Sequence, residues 1–100
     1  MDRTAVIAAL KRHETELKNL GILRLSLFGS LARNEASKIS DVDIAVTLTP
    51  GRRGLAHLER MEGIRARLGE IVGCAVDVIE EPAPSPHVQD AIEQDRVLTF

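Results

Sequence analysis

The sequence predicts an α+β fold, in which strands alternate with helices along a chain of 100 residues. Apolar residues recur at helical spacing in the segments 2–20 and 55–72, the pattern of helices with one buried face. Between them, residues 42–48 alternate between apolar and polar or small side chains, and a period of two is typical of a strand. An apolar run at 23–28, interrupted by Arg24 and Ser26 and bounded by a glycine, predicts a buried strand.

Local signals place the elements of the first half in order. The first helix covers 2–20, and Gly21 ends it because glycine accepts the left-handed conformation found after many helices. The first strand then covers 23–28, and a short helix follows at 30–35. The second strand covers 42–48, where Val42, Ile44, Val46 and Leu48 alternate with Asp41, Asp43, Ala45 and Thr47.

The second half continues the same alternation of helix and strand. Residues 50–54 form a loop by composition, and the long helix after it ends at Gly73. The third strand covers 75–80. The segment 82–86 holds three prolines and is irregular, a short helix covers 87–94, and an apolar tail closes the chain at 97–100. The stripe predicted to bury the long helix consists of Leu55, Leu58, Met61, Ile64, Leu68, Ile71 and Val72.

Composition sets bounds on the class of protein. One hundred residues predict one domain, 1–100, and a net charge of −2 gives no reason to expect direct nucleic-acid binding. Because Cys74 is the only cysteine, an intrachain disulfide is excluded and a reducing compartment fits. No apolar run is long enough to span a bilayer, and the N-terminus lacks the apolar core of a signal peptide. We therefore expect a cytoplasmic protein without a membrane partner.

Two carboxylates at positions i and i+2 mark the start of the second strand. Asp41 and Asp43 project from one face of that strand, about 6.6 Å apart along the backbone. Two carboxylates so close raise each other's pKa unless a positive charge lies between them. Mg²⁺ suits this position, because it binds one or two carboxylates together with substrate phosphates. The pair therefore predicts a site for a divalent metal ion.

A Gly-Ser pair at the end of the first strand complements the carboxylates. Gly29 and Ser30 stand where a strand passes into a short helix, and glycine leaves the backbone N–H groups accessible. The helix N-terminus adds a favourable field for an anion. The sequence thus predicts a phosphate-binding turn beside a metal-binding pair, which is the minimum equipment for nucleotidyl transfer.

These residues carry a resemblance to a known family. Gly29-Ser30-Leu31-Ala32-Arg33, a spacer and Ser40-Asp41-Val42-Asp43-Ile44 resemble the GSxARG…SDxDL pattern of the DNA polymerase β-like nucleotidyltransferase superfamily. Val76-Asp77-Val78 resembles the strand with the third carboxylate, so the likeness covers nearly the whole chain. Asn34 stands where glycine is usual, and asparagine also tolerates the left-handed conformation. The length is similar to that of minimal nucleotidyltransferases, the antitoxins of HEPN-domain toxins.

The resemblance implies a fold, an activity and a partner. The fold is the nucleotidyltransferase (polymerase β-like) fold, a small mixed β-sheet of three to four strands packed with helices. The activity is transfer of AMP from ATP, with two Mg²⁺ ions, to a hydroxyl of a HEPN-domain toxin, and the expected acceptor is a tyrosine. Asp41, Asp43 and Asp77 are the implied catalytic and metal-binding residues, with Asp77 also the candidate general base. Gly29, Ser30, Arg33 and Ser40 are the implied nucleotide-binding residues.

Several of these residues have a second, structural interpretation. Ser30 is also a candidate cap of the short helix, and Ser40 is a candidate for orienting the turn before Asp41. Arg33 either supports the acidic cluster, contacts phosphate, or is an ordinary solvated arginine. Asp77 lies on a mostly apolar face of a strand that we expect to be central, where an unpaired acid is costly. The tail residues Val97, Leu98 and Phe100 pack against either a partner or the protein's own core.

Other phosphate and acyl-transfer sites do not match the sequence. There is no GxGxxG, no GxxxxGK[ST] and no GxSxG. His13, His57 and His87 have no metal-ligand spacing, and Arg52 and Arg53 form either a cationic loop for triphosphate or a solvated loop. Two alternative functions stay open: a non-catalytic antitoxin that covers its toxin, and a small-molecule adenylyltransferase, for whose usual added domain 100 residues leave no room.

Overall fold

The computed structural model describes residues 2–35 and 41–100. Within them, five helices and four strands follow the predicted order, except that two helices stand in place of the predicted first helix and a short strand lies in the predicted apolar tail. Their bounds are α1 Arg3–Arg12, α2 Glu14–Asn19, β1 Ile22–Phe28, α3 Gly29–Ala32, β2 Val42–Leu48, α4 Gly54–Val72, β3 Val76–Glu80, α5 Pro86–Asp95 and β4 Val97–Leu98.

The four strands form one mixed sheet in the order β3-β2-β1-β4. β1 is antiparallel to both β2 and β4, whereas β2 is parallel to β3. A parallel pair needs a long crossover connection, and α4 supplies it between β2 and β3. The predicted α+β fold with a mixed sheet of three to four strands is confirmed.

The two faces of the sheet have different neighbours. On one face, alternate strand residues such as Leu25, Leu27 and Ile44 join Leu10 and Leu68 of the helices in the main hydrophobic core. On the other face, Phe28 and Ala45 pack against Ile92 of α5 in a much smaller cluster. The alternation of strand side chains therefore separates a structural face from a face that has room for a site.

The first helix is not continuous, contrary to the prediction over 2–20. His13 has φ −104° and ψ 16° and separates α1 from α2. Leu10 and Leu17 are fully buried at a spacing that a continuous helix would also allow, but no apolar residue lies between them. Nothing at the intervening turn is buried against the core, so the chain bends there.

The apolar stripe of α4 is buried only in part. Leu55 and Leu58 are 71% and 62% exposed, whereas Ile64 and Leu68 are buried. A helix of 19 residues is about 28 Å long, but the five residues of β3 span only about 17 Å. The first turns of α4 therefore extend past the strand on which the helix packs.

The expectation that the third strand is central is wrong. β3 lies at an edge of the sheet, and Asp77 is exposed to solvent. The last strand, β4, adds beside β1 instead of beside β3. Asp77 thus avoids the desolvation cost that a central position would impose. In the tail, Val97 and Phe100 pack against the main core, and Leu98 is 54% exposed.

Among the described helices, none has the length and hydropathy needed to cross a membrane.

Candidate active site

The register of the strands brings two of the predicted acidic residues into one row. Asp43 of β2 lies opposite Phe28 of β1 on one side and opposite Asp77 of β3 on the other. Because directly paired residues project from the same face of a sheet, the two carboxylates share the face covered by α5. Asp41 projects from that face two residues earlier and is exposed, while Asp43 is partly buried.

Gly29 makes room for the Asp43 carboxylate. Its φ is +74°, and a Cβ built on it would lie 2.1 Å from Asp43 Oδ2. Both the conformation and the space therefore require glycine at this position. The contact places the backbone at the end of β1 directly against the carboxylate of β2.

The three aspartates are electrostatically coupled. The pKa of Asp43 is raised, chiefly because burial disfavours its charged form, and further by the negative charges of Asp77 and Asp41. Arg33 acts in the opposite direction and lowers the pKa of Asp43 in part. A cation at this row would relieve the repulsion.

The three carboxylates suit an Mg²⁺ ion that substrate and water also coordinate, rather than a metal ion coordinated by protein side chains alone. Carboxylate oxygens are hard ligands, the type that Mg²⁺ binds. Within residues 2–35 and 41–100, however, no three His, Cys, Asp or Glu side chains converge into a preformed metal-binding group. Mg²⁺ commonly takes only one or two carboxylates and completes its coordination with water and substrate phosphates. The spread of the three aspartates is compatible with that shared mode of binding.

α3 is a single helical turn that begins at Gly29. The helix covers Gly29–Ala32, its cap is Phe28, and no side chain caps it. Ser30 therefore stands inside the helix, and its interpretation as the helix cap is wrong. Asn34 has φ +63°, as expected for an asparagine that replaces a glycine. Just after α3, Glu35 N donates a hydrogen bond to Ser30 O at 2.8 Å.

Arg33 is held by two carboxylates near the aspartate row. Its Nη1 donates to Asp95 Oδ2 of α5 at 2.5 Å, and its Nε donates to Glu35 Oε2 at 3.1 Å. These bonds, Glu35 before Asp95, raise the pKa of Arg33. Arg33 is thus an exposed residue that is ion-paired with both carboxylates, and its charge reaches Asp43 of the acidic row. The sequence carries no signal for Asp95, because 62 positions separate the two residues.

Other predicted candidates lie elsewhere or outside the described residues. Ser40 falls in the segment 36–40, which the structure does not describe. Arg52 lies beyond the far end of β2, which is about 17 Å along the strand from Asp43. It lines a groove with Arg60 and Arg67 between α2 and α4. This position disfavours the cationic loop for triphosphate. His13 and His57 contact Glu16 and Glu80, away from the aspartates.

Comparison with known proteins identifies the family. The family model described as a nucleotidyltransferase domain matches residues 10–99. A protein of Methanocaldococcus jannaschii that is named as a protein adenylyltransferase is 38% identical over 77 residues, which cover 77% of this chain and 78% of that protein. A second adenylyltransferase so named in the same organism is 33% identical over 92 residues, with 88% of each chain covered.

Solved structures agree with the sequence relatives. A structure described as a minimal nucleotidyltransferase superposes with a TM-score of 0.79 and 26% identity, over 97% of this chain and 95% of that one. The MNT antitoxin in complex with a tri-AMPylated HEPN toxin of Shewanella oneidensis gives a TM-score of 0.63 at 16% identity, over 94% and 71% of the two chains. The second match supports the fold alone. The resemblance seen in the two-part motif is confirmed, and the chain is a nucleotidyltransferase that belongs to the nucleotidyltransferase domain family.

Proposed function

We propose that this protein transfers AMP from ATP to a tyrosine hydroxyl of a HEPN-domain toxin and so neutralises the toxin. One observation carries the proposal: Asp43 and Asp77 share a row of the sheet, with Asp43 in contact with the glycine that begins the phosphate-binding turn. We take residues 1–100 as one minimal domain that acts in the cytoplasm. The family match over 10–99 supports that extent.

Different residues bind the nucleotide and act on the acceptor hydroxyl. The backbone of Gly29 and Ser30 binds the phosphates, and Asp41 and Asp43 hold the nucleotide through the metal. Mg²⁺ held by these aspartates would neutralise the charge of the triphosphate and lower the pKa of the acceptor hydroxyl. Arg33, which is ion-paired with Asp95 and Glu35, supports the acidic cluster.

Asp77 is the general base in this proposal. It accepts the proton of the acceptor hydroxyl as the hydroxyl oxygen bonds to the α-phosphorus and the bond to the leaving pyrophosphate breaks. Its exposure at the sheet edge supports this role, because an acceptor on another protein reaches it directly. The chain has no tyrosine, so a tyrosine acceptor belongs to a second polypeptide.

The names of similar proteins support the choice of partner. Relatives at 38% and 33% identity are named as protein adenylyltransferases. A structural neighbour is a toxin–antitoxin complex with the ATP analogue AMP-PNP, and another contains a HEPN toxin with three AMP groups. These likenesses favour a protein acceptor over a small molecule.

Labelled ATP tests the proposal. The protein is incubated with Mg²⁺ and α-³²P-ATP, alone and with a HEPN-domain toxin, as the parent, Asp77→Asn and Asp90→Asn. We expect AMP on toxin tyrosine only, with a loss of on the order of 10²–10⁴-fold for Asp77→Asn, the usual effect of removing a base. Asp90 is an exposed residue of α5, and its variant should match the parent.

Two results would contradict the proposal. Strong labelling of the isolated chain would show that tyrosine is not the preferred acceptor, since the chain has none. Neutralisation of the toxin by Asp77→Asn at the parent's level would show that binding, rather than AMP transfer, silences the toxin.

A further inference from the structure

The outer edge of β3 adjoins the acidic row. β3 is the terminal strand on its side of the sheet, and within residues 2–35 and 41–100 it pairs only with β2. Asp77 is the second position of this five-residue strand, whose centre is Val78. The edge of the sheet and the candidate catalytic row are therefore one continuous surface.

The backbone hydrogen bonds show which groups of β3 point outward. Val42 N donates to Ala75 O at 3.2 Å, and Glu81 N donates to Val46 O at 2.8 Å. Because the backbone groups of successive strand residues point to opposite sides, Asp77 and the other odd-numbered residues face β2. The even-numbered residues Val76, Val78 and Glu80 face outward. None of the described residues forms a backbone hydrogen bond with these three.

A strand edge with unpaired backbone groups can bind another chain as an added strand. Of the three outward-facing residues, Val78 is buried and Val76 and Glu80 are partly buried. In an antiparallel addition, Val76 and Val78 would exchange hydrogen bonds with the new strand. The residue opposite Asp77 would then occupy a non-hydrogen-bonded position, with its Cα about 4.5 Å from that of Asp77. Its side chain would project from the face that carries Asp77 and Asp43.

The charge and side chains around β3 indicate which kind of segment would bind. Asp41, Asp43 and Asp77 place negative charge on one face, so an acidic segment would be repelled. The neighbours of the central residue would project to the opposite face beside Val76 and Val78, which favours β-branched side chains. The other edge of the sheet, at β4, is three strand spacings or about 14 Å from β3, too far to place an acceptor at Asp77.

We propose that the outer edge of β3 binds an extended, non-acidic segment of the acceptor protein as an added antiparallel strand, with the acceptor hydroxyl residue opposite Asp77. The inference rests on the proposed function, because it names how the acceptor of that reaction is held. The main-chain bonds hold the segment, and the residue opposite Asp77 is the one modified.

A synthetic peptide tests the docking site on the full chain. The probe is acetyl-Lys-Thr-Val-Tyr-Val-Thr-Lys-amide, added to ¹⁵N-labelled protein with Mg²⁺ and a non-hydrolysable ATP analogue. We expect amide exchange at Val76, Val78 and Glu80 to slow about tenfold or more as the peptide saturates. In the proposed register the two peptide valines donate to β3 and the tyrosine N–H points away. N-methylation of both valines should therefore abolish the protection, and N-methylation of the tyrosine should retain it.

A pair of variants tests the same edge from the protein side. Val76→Pro removes one outward donor at the first position of the strand, where proline is tolerated, and Val76→Thr retains that donor. We expect Val76→Pro to lose peptide protection and at least tenfold of the AMP transfer to a HEPN-domain toxin. Both variants should keep the rise in melting temperature with Mg·ATP, which reports the nucleotide site.

The outcomes separate this inference from the proposed function. No protection of the three edge amides, protection confined to the exposed Leu55 and Leu58 of α4, or equal transfer by the two Val76 variants would overturn the inference. Edge protection without AMP transfer to any toxin would support the docking site and count against the proposed function. Transfer of AMP to toxin tyrosine without protection of the edge amides would support the proposed function and overturn the docking site.

Discussion

At the scale of single residues, Gly29 and Asp43 are the tightest constraint on the site. The Asp43 carboxylate occupies the space where any other residue at position 29 would carry its Cβ. Asp43 is partly buried and has a raised pKa, so the fold holds this carboxylate in a position that disfavours its charge. A structure accepts such a cost most often where a functional group must be positioned.

Gly29→Ala should therefore disrupt the site as well as strain the backbone. Gly73 is a matched control, because its φ is +84° and a Cβ added there would meet no heavy atom within 4 Å. We expect both alanine variants to lose about 1–2 kcal/mol from the left-handed conformation, and only Gly29→Ala to lose the response to Mg·ATP as well. Chemical unfolding with and without Mg·ATP measures both effects. Equal nucleotide responses in the two variants would contradict the role assigned to the contact.

At the scale of elements, α5 covers part of the aspartate face and is fixed by a partly buried ion pair. Arg96, directly after α5, donates to Glu81 through Nη1 at 2.8 Å and through Nη2 at 2.5 Å, and also to Ser26 Oγ at 3.0 Å. Gln89 of α5 donates to Glu81 Oε2 at 2.9 Å. The bonds from Arg96 lower the pKa of Glu81 most, and the bond from Gln89 adds to the effect.

Removing the charge of Glu81 should destabilise the fold. Glu81→Gln leaves a partly buried arginine without its counter-ion, and we expect a loss of about 2 kcal/mol at pH 7. Glu62, an exposed residue that pairs with Arg65 one helical turn away, is the matched control. Its Gln variant should change the free energy of unfolding by less than about 0.5 kcal/mol.

The same pair predicts a pH dependence with a defined sign. Because folding lowers the pKa of Glu81 from its usual 4.5, its contribution is fully present above pH 4.5. That contribution is lost as the pH falls through the lower value of the folded state. The difference in stability between the parent and Glu81→Gln should therefore shrink as the solution is acidified below pH 4.5. A difference that grew on acidification would contradict this assignment.

At the scale of the whole molecule, one face of the sheet carries the hydrophobic core and the other carries the charges. Leu27 and Ile44 belong to the main core, while Asp43, the neighbour of Ile44 on the same strand, faces the opposite side with Asp77. Changes in the aspartates therefore leave the main core intact. The nucleotide site and the stability of the fold are accordingly separable by experiment.

Mg·ATP should raise the melting temperature of the parent, because a ligand that binds only the folded state adds about 2.7 kcal/mol at a hundredfold excess over Kd. Asp43→Asn should lose this rise. Without Mg·ATP, the variant should melt no lower than the parent at neutral pH, because the raised pKa shows that the fold disfavours the charged carboxylate. Asp90→Asn is the control that keeps the response. A parent melt unaffected by saturating Mg·ATP would count against the site.

Local patterns in the sequence predicted most of the elements and the two-part motif. β2 was predicted with its observed bounds, Val42–Leu48, because a period of two needs only local information. The Gly29-Ser30 turn and the Asp41/Asp43 pair were likewise evident, since the spacing on one strand fixes a common face. The left-handed Asn34 followed from the resemblance, because glycine is usual at that position and asparagine tolerates the same conformation.

How those elements meet depends on packing between segments that are distant in the chain. Whether β3 is central or at an edge depends on where the last strand pairs, and the two residues of β4 add beside β1 through contacts that no local pattern encodes. The row of Asp43 and Asp77, the ion pair of Arg33 with Asp95, and the exposure of Leu55 and Leu58 arise in the same way. Strand order, register and the length of a helix relative to its sheet are set by packing among residues far apart in the chain, whereas periodicity and turn preferences are local.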